Sequence, residues 1–306
     1  MRAVVLAGGT GGAKLAAGMQ ELLGEDLSVV VNTGDDVELL GVYVSPDPDL
    51  VTYWLTGEID EQRGWGIRGD SFTVFERLVS LGAPSWFGLS DRDLATCLLR
   101  RELIEAGERP TAVQRRLALG LGARAQVLPM SDEPVRTRVR TPAGWLGLQE
   151  FLVREQARGE ILELRFEGID AAEPSPEVAE AVRAADAIVV GPSNPIISIA
   201  PILAVPGLRE LVAEAAAPVV AVSPYVGGRI VKGPTDEFMR AAGRRPSTAG
   251  VVDEYGPLLD AIVIDSGDPE PPPDGIATLA VPTLMDSATS RRELADRVLT
   301  HATSIG

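Results

Sequence analysis

An α/β fold, a mostly parallel sheet with helices on both faces, is what this chain predicts. Its opening, residues 3–7, is a short apolar and β-branched run that passes through four glycines into a helix-like run over 13–23. Further apolar runs at 27–31, 187–190, 219–222 and 261–264 mostly end in short polar loops. A β-α-β opening with polar turns at the strand ends is what a parallel sheet requires. At 306 residues with 45% hydrophobic side chains, the chain can bury a substantial core. The expectation is one Rossmann-like α/β domain over 1–306, with a mainly helical insertion at 50–122 covering the active-site rim and a small antiparallel section.

The remaining elements follow in order. Residues 39–44 read as a further strand, leading into Ser45-Pro-Asp-Pro-Asp49 as a polar turn. Helices are predicted at 50–57 and 71–81. Another starts near Ser90 or Asp91 and carries an apolar period to Ile104, and one opens at Pro110 and ends at Gly120. A short strand at 125–128 runs into Pro129, and residues 135–139, 147–153 and 162–166 read as antiparallel strands. Helices at 175–185 and 237–242, a proline-rich loop at 268–274 and a terminal helix at 291–303 finish the chain, with 261–264 as the last strand of the sheet.

Composition narrows the chemistry. A net charge of −16 argues against nucleic acid or an anionic membrane as partner, since no basic field would draw phosphodiesters. One cysteine, Cys97, excludes an internal disulfide and a multi-cysteine zinc site. The one histidine, His301, lies near the C-terminus, so any acid, base or metal ligand is expected to be Asp or Glu. The first strand begins directly after Met1, and no apolar run reaches the length of a membrane span. A cytoplasmic homodimer is expected.

Gly8-Gly-Thr-Gly-Gly12 reads as a phosphate cradle, because strand, glycine turn and helix aim backbone N–H groups at an anion. The spacing is neither the dinucleotide fingerprint nor a Walker A loop, and a glycine turn also serves simply to pack a strand against a helix. Candidate phosphate-binding residues are Gly9, Thr10, Gly11, Gly12, Lys14, Asn32, Ser193 and Asn194; the last three come from the loops 32–36 and 191–195, expected on the same rim. Asp35, Asp36, Asp47 and Asp49 fall within two neighbouring turns. Oxygen ligands of this kind suit Mg²⁺, with Asp36, Asp47 and Asp49 as candidate ligands, unless Asp47 and Asp49 merely form a solvated turn. Arg92 either forks to a phosphate or carboxylate or pairs with Asp91 or Asp93. Trp54, Trp65 and Trp86 either pack the core or flank a planar heterocycle, and Trp65, set between two glycines, is the first choice for the second role.

Taken together, Gly8-Gly-Thr-Gly11, Val30-Val-Asn-Thr33, Ser45-Pro-Asp-Pro-Asp49, Trp65-Gly-Ile67, Ser90-Asp-Arg-Asp93, Leu128-Pro-Met-Ser-Asp132 and Gly191-Pro-Ser-Asn-Pro195 resemble the 2-phospho-L-lactate transferase family. The order and spacing continue through Ala221-Val-Ser-Pro224 and Thr283-Leu-Met285. The resemblance implies transfer of a phospholactyl-type group (lactate, enolpyruvate or glycerate) from a guanosine diphosphate-linked donor to the deazaflavin Fo, with release of GMP, in coenzyme F420 biosynthesis. It also implies that Asp49 and Arg92 hold the deazaflavin, while the glycine loop and 191–195 take the donor. Asp49 or Asp36 would accept the hydroxyl proton, and Mg²⁺ on the aspartates would bridge the diphosphate. The other classes are a non-catalytic nucleotide-sugar-binding regulator of the gluconeogenesis-factor type, and an NAD-dependent oxidoreductase, which the glycine spacing disfavours.

Overall fold

In the computed structural model, which describes residues 1–305, seven parallel strands form the central sheet. They are β1 (Ala3–Ala7), β2 (Leu27–Val31), β3 (Gln126–Pro129), β4 (Ala187–Val190), β5 (Val219–Val222), β6 (Ala261–Asp265) and β7 (Ala277–Val281). Their spatial order is β7-β6-β5-β4-β1-β2-β3. The order reverses between β1 and β4, and Ala3 of β1 lies in register with Leu27 of β2 on one side and Ala187 of β4 on the other. A crevice opens beyond the carboxyl ends of strands at such a reversal.

Every residue of β1 and β2 is buried, because helices cover both sides. Alternate side chains enter different cores: Val4 and Leu6 join Ile188, Val178 and Phe238, whereas Ala3, Val5 and Ala7 join Leu15, Met19, Leu294 and Val298. Between β2 and β3 lie four helices, α2 (Pro46–Thr56), α3 (Thr73–Ser80), α4 (Asp91–Glu105) and α5 (Pro110–Gly120). Strands Arg136–Thr141, Gly144–Gly147 and Glu163–Glu167 form a separate antiparallel sheet. No helix among the described residues is long and apolar enough to cross a membrane.

Several elements differ from the sequence expectation. The helix α1 (Gly9–Leu23) starts inside the glycine stretch rather than after it. Residues 39–44 are not a strand of the main sheet but part of a hairpin, Val37–Leu39 with Val42–Val44, turned by Leu40 and Gly41 at φ +53° and +80°. A turn with both central residues at positive φ suits a two-residue hairpin, but leucine is a poor signal for it. The 147–153 segment is a strand end followed by a π-helix, Glu150–Arg154. The sheet closes with β7, an edge strand whose half-exposed side chains give a weak apolar signal.

Candidate functional site

The glycine loop is shaped by what packs against it. A Cβ on Gly11 would stand 2.0 Å from the Pro192 carbonyl oxygen, and one on Gly12 would stand 2.5 Å from Ser193 Oγ. Those two glycines therefore let the 191–195 loop lie directly on the start of α1. Gly9 is different: its φ is +63° and a Cβ there would meet nothing within 4 Å. A helix leaves its first N–H groups without intrahelical acceptors. Here the Gly9 amide donates to Asp47 Oδ1 at 2.7 Å and the Gly8 amide to Ser193 Oγ at 3.2 Å. The helix has no side-chain cap, which leaves the Thr10 and Gly11 amides for an anion.

Asn32, at the carboxyl end of β2, organises the acidic side. Its amide nitrogen donates to Asp35 Oδ1 at 2.8 Å and to Asp47 Oδ2 at 2.9 Å, while its carbonyl oxygen accepts from the Gly34 amide at 2.8 Å. Asn32 is thus spent on holding two carboxylates together and is not free to bind a phosphate itself. Gln149 adds a bond to the other oxygen of Asp35 at 3.1 Å. Burial, and then the charge of Asp47, push the Asp35 carboxyl well above the usual range. Burial also raises Asp47, against the pull of Asn32 and the Gly9 amide. Two carboxylates crowded in this way repel unless a proton or a cation lies with them, and their oxygens beside an anion site are a ligand set that could hold Mg²⁺.

The trio Asp36, Asp47 and Asp49 is not brought together. The reason is helical geometry: Ser45-Pro-Asp-Pro-Asp49 is no loose turn but the first turn of α2, with Pro46 at its start. Residues two apart on a helix point about 200° away from each other. Asp47 therefore faces the glycine loop, and Asp49 faces α4. The Asp49 carboxylate forms a buried two-pronged ion pair with Arg100, whose Nη1 lies 3.0 Å from Oδ2 and whose Nη2 contacts Oδ1. Arg100 also donates to the Tyr43 carbonyl at 3.3 Å and to Gln114 Oε1 at 3.4 Å, so α2, α4 and α5 meet on this one pair. Burial alone would lower the pKa of Arg100, but Asp49 more than offsets it and the guanidinium stays charged. Asp93 and Cys97 lie with Asp49 in one group of potential ligand atoms, yet Arg100 already fills the place of a cation there.

Asp36 points elsewhere again. Its two oxygens accept from Tyr43 Oη and Ser45 Oγ, each at 2.7 Å, and burial pushes its pKa up to about 6 against the pull of Arg136. Neither Asp36 nor Asp49 lines the cleft beside the glycine loop, whereas Asp35 and Asp47 do.

That cleft has a volume of about 330 Å³ and runs from the glycine loop to the segments after β5 and β7. Thr10, Lys14, Ser193, Asn194, Ser223 and Thr283 are among its lining residues. Lys14 is held there by the Met285 carbonyl at 2.8 Å, and burial, then Arg291, lower its pKa. Asn194 is occupied as a helix cap, its Oδ1 accepting from the Ile196 and Ile197 amides at 2.9 and 3.2 Å. On the insertion, Arg92 pairs with neither Asp91 nor Asp93. It lies 3.4 Å from Asp70 Oδ1 and donates to the Arg68 carbonyl at 2.9 Å, with its side chain 55% exposed. Trp65 is 43% exposed, edge-on to Phe72 and under the Arg63 guanidinium, so its face is not locked in a core. Trp54, in contrast, is buried between Lys14 and Arg291.

Two features of the site have little sequence signal: Asp35 as the partner of Asp47, and Lys232 in the cleft lining. The first had as pointers its place in the acidic cluster and a strand-end asparagine three residues before it, and the second its rarity.

Residues 3–298 match the family model described as 2-phospho-L-lactate transferase CofD. The chain is 41% identical to the phosphoenolpyruvate transferase of Streptomyces griseus, with 98% of each chain covered. It is 39% identical to the 2-phospho-L-lactate transferase of Methanosarcina acetivorans, with 97% of each covered. Among solved structures, a UPF0052-family protein of Bacillus halodurans superposes with a TM-score of 0.63 at 18% identity, over 97% of this chain and 98% of that one. That likeness is one of fold.

Proposed function

Because the chain belongs to the 2-phospho-L-lactate transferase family and is a transferase, we propose that it moves a phosphoacid group from a guanosine diphosphate-linked donor to Fo. The acceptor atom is the 5′-hydroxyl of the deazaflavin side chain, GMP leaves, and the product is a precursor of coenzyme F420. The acid is lactate, enolpyruvate or glycerate, and the relatives named above for both of the first two keep the choice open.

The observation that carries this reading is the carboxylate pair Asp35 and Asp47, clamped by Asn32 beside the free amides of Thr10 and Gly11. Transfer of a substituted phosphate demands positioning and charge neutralisation far more than covalent chemistry. Asp35 and Asp47 would hold Mg²⁺, which when bound supplies positive charge to the diphosphate oxygens. The Thr10 and Gly11 amides and the Lys14 ammonium take the remaining oxygens. Asp49, neutralised by Arg100, is a poor proton acceptor. Its part is to anchor the helices α4 and α5 that carry the acceptor side. Arg92 and Trp65, exposed on the insertion, are the acceptor contacts of this reading.

The test is turnover. Purified protein with Mg²⁺ and Fo is supplied separately with the guanylylated forms of phospholactate, phosphoenolpyruvate and phosphoglycerate, and products are read by mass together with GMP. One of the three is expected to give the phosphoacid ester of Fo. No GMP from any of them would sink the proposal.

A further inference from the structure

The chain spells its cations almost wholly as arginine, and its two lysines, Lys14 and Lys232, both line the same cleft. Arginines supply the side-chain cation of every ion pair among the described residues, and neither lysine takes part in one. In a protein of net charge −16, two ammonium groups without ion-pair partners in the lining of one cleft ask for an anion between them.

The two lysines are held differently. Lys14 is fixed by the Met285 carbonyl at 2.8 Å and by the Trp54 ring 5.4 Å away. Lys232 is exposed and makes no hydrogen bond among the described residues. It follows the short hairpin Tyr225–Val226 with Arg229–Ile230, and Gly233 after it has φ +86°. Its ammonium rests against Gly64, where a Cβ would stand only 2.5 Å from Nζ. Lys232 therefore reaches across the mouth of the cleft, from the loop after β5 to the loop of the insertion that bears Trp65.

Resting on the function proposed above, we infer that Lys232 is a donor-binding residue that takes a phosphate oxygen of the diphosphate from the segment after β5. Charge balance supports it. A divalent ion on Asp35 and Asp47 cancels their two charges and leaves the diphosphate diester with its own two still unmatched. Lys14 and Lys232 match them. An ammonium is suited to this as a point charge on a flexible stem, needing no fixed bidentate geometry. The field already reaches that far: burial, Arg291 and, more weakly, Lys232 all push down the pKa of Lys14, while Glu61 and Asp286 pull it up.

The experiment is equilibrium binding of GDP, and of inorganic diphosphate, to the full chain with Mg²⁺, comparing parent, Lys232→Ala and Lys232→Arg by calorimetry. A hydrogen bond to a charged group contributes about 1.5–3 kcal/mol, so Lys232→Ala is expected to weaken GDP binding at least about tenfold. Lys232→Arg, which keeps the charge, is expected to stay within about threefold of the parent. A merely structural lip would be disturbed by both substitutions alike, and that result would overturn the assignment. Equal GDP affinity in parent and Lys232→Ala would overturn it too, while leaving the donor reading intact. A parent that binds neither probe would instead remove the donor reading, and this inference with it.

Discussion

Asp47 and Asp49 sit two residues apart in the first turn of α2, and the molecule uses them in opposite ways. Asp47 looks into the cleft, where a second carboxylate, Asp35, shares its asparagine clamp and no guanidinium neutralises the pair. Asp49 looks into the insertion, where Arg100 meets it in the protein interior. Residue type and local sequence are the same; the difference lies in what the rest of the fold places opposite. An acidic side chain left without a protein cation is poised for a bound one, and an acidic side chain given its cation by the chain is structural.

The largest expected effect comes from breaking the structural side. Arg100→Leu removes the partner of a buried carboxylate and should lower the free energy of unfolding by about 3–5 kcal/mol, read as the midpoint shift in urea. The double variant Asp49→Asn with Arg100→Leu should recover part of that loss, since a buried pair replaced as a whole costs far less than one broken in half. If the double variant is as unstable as the single one, the pair is not what joins α2, α4 and α5.

Next comes the open side. Asp47→Asn keeps the size of the side chain but removes a charge, and should cut turnover about a hundredfold, the scale of one lost electrostatic contact at a reacting phosphate. The amide can accept from only one of the two donors, Gly9 and Asn32, that bond the carboxylate, so the unfolding free energy should fall by about 1 kcal/mol, far too little to explain the loss of rate, and extra Mg²⁺ should restore part of that rate. Turnover near the parent value would mean that the Asp35–Asp47 pair holds no ion during the reaction.

How much of this division was legible in the sequence depends on the kind of signal. The β-branched runs of β1, β2, β4, β5 and β6, with glycine or polar residues at their ends, announce a parallel sheet because burial on both faces leaves no choice of side chain. The glycine loop was legible for a similar reason, although Gly11 and Gly12 prove to be small for the approach of Pro192 and Ser193. The roles of the aspartates were not legible. Two prolines around Asp47 suggest a turn, yet a proline in the first turn of a helix loses no hydrogen bond, and a helix sends Asp47 and Asp49 to different sides. Arg100 gave no hint either, being one of three arginines on α4 in a chain that spells nearly all its cations as arginine. Its importance comes from a contact across 51 positions in the chain.

A subtler effect sharpens the structural side by pH. Asp93, beside Asp49 and hydrogen-bonded by Tyr53 Oη at 2.7 Å, has its pKa raised to about 7, first by burial and then by the charge of Asp49. A carboxyl whose folded pKa lies above its unfolded value of about 3.9 binds its proton more tightly in the native state. It contributes stability below the unfolded value, and that contribution is lost as pH rises towards 7. The parent should therefore lose stability between pH 5 and 7 relative to Asp93→Asn, whose amide imitates the neutral acid, by at most about 1.4 kcal/mol per pH unit. Parallel midpoint profiles for the two proteins would show that Asp93 does not titrate in that window.

The smallest effect on stability belongs to the rim. The Arg92 side chain is more than half exposed, and the covered Asp70 carboxylate it pairs with keeps its bonds from the Ser71, Arg92 and Asp93 amides, so Arg92→Ala should change the unfolding free energy by only about 1 kcal/mol. If the guanidinium touches the acceptor, the same substitution raises KM for Fo severalfold while KM for the donor stays put, because donor and acceptor lie on opposite sides of the transferring phosphate. Arg92→Lys is the sharper variant: a lysine keeps the charge but not the planar fork, and a fork is what a flat heterocycle or a carboxylate would select. A rise in donor KM from either variant, with Fo unaffected, would move Arg92 to the cleft side and dissolve the separation between the two faces of α2 at the rim.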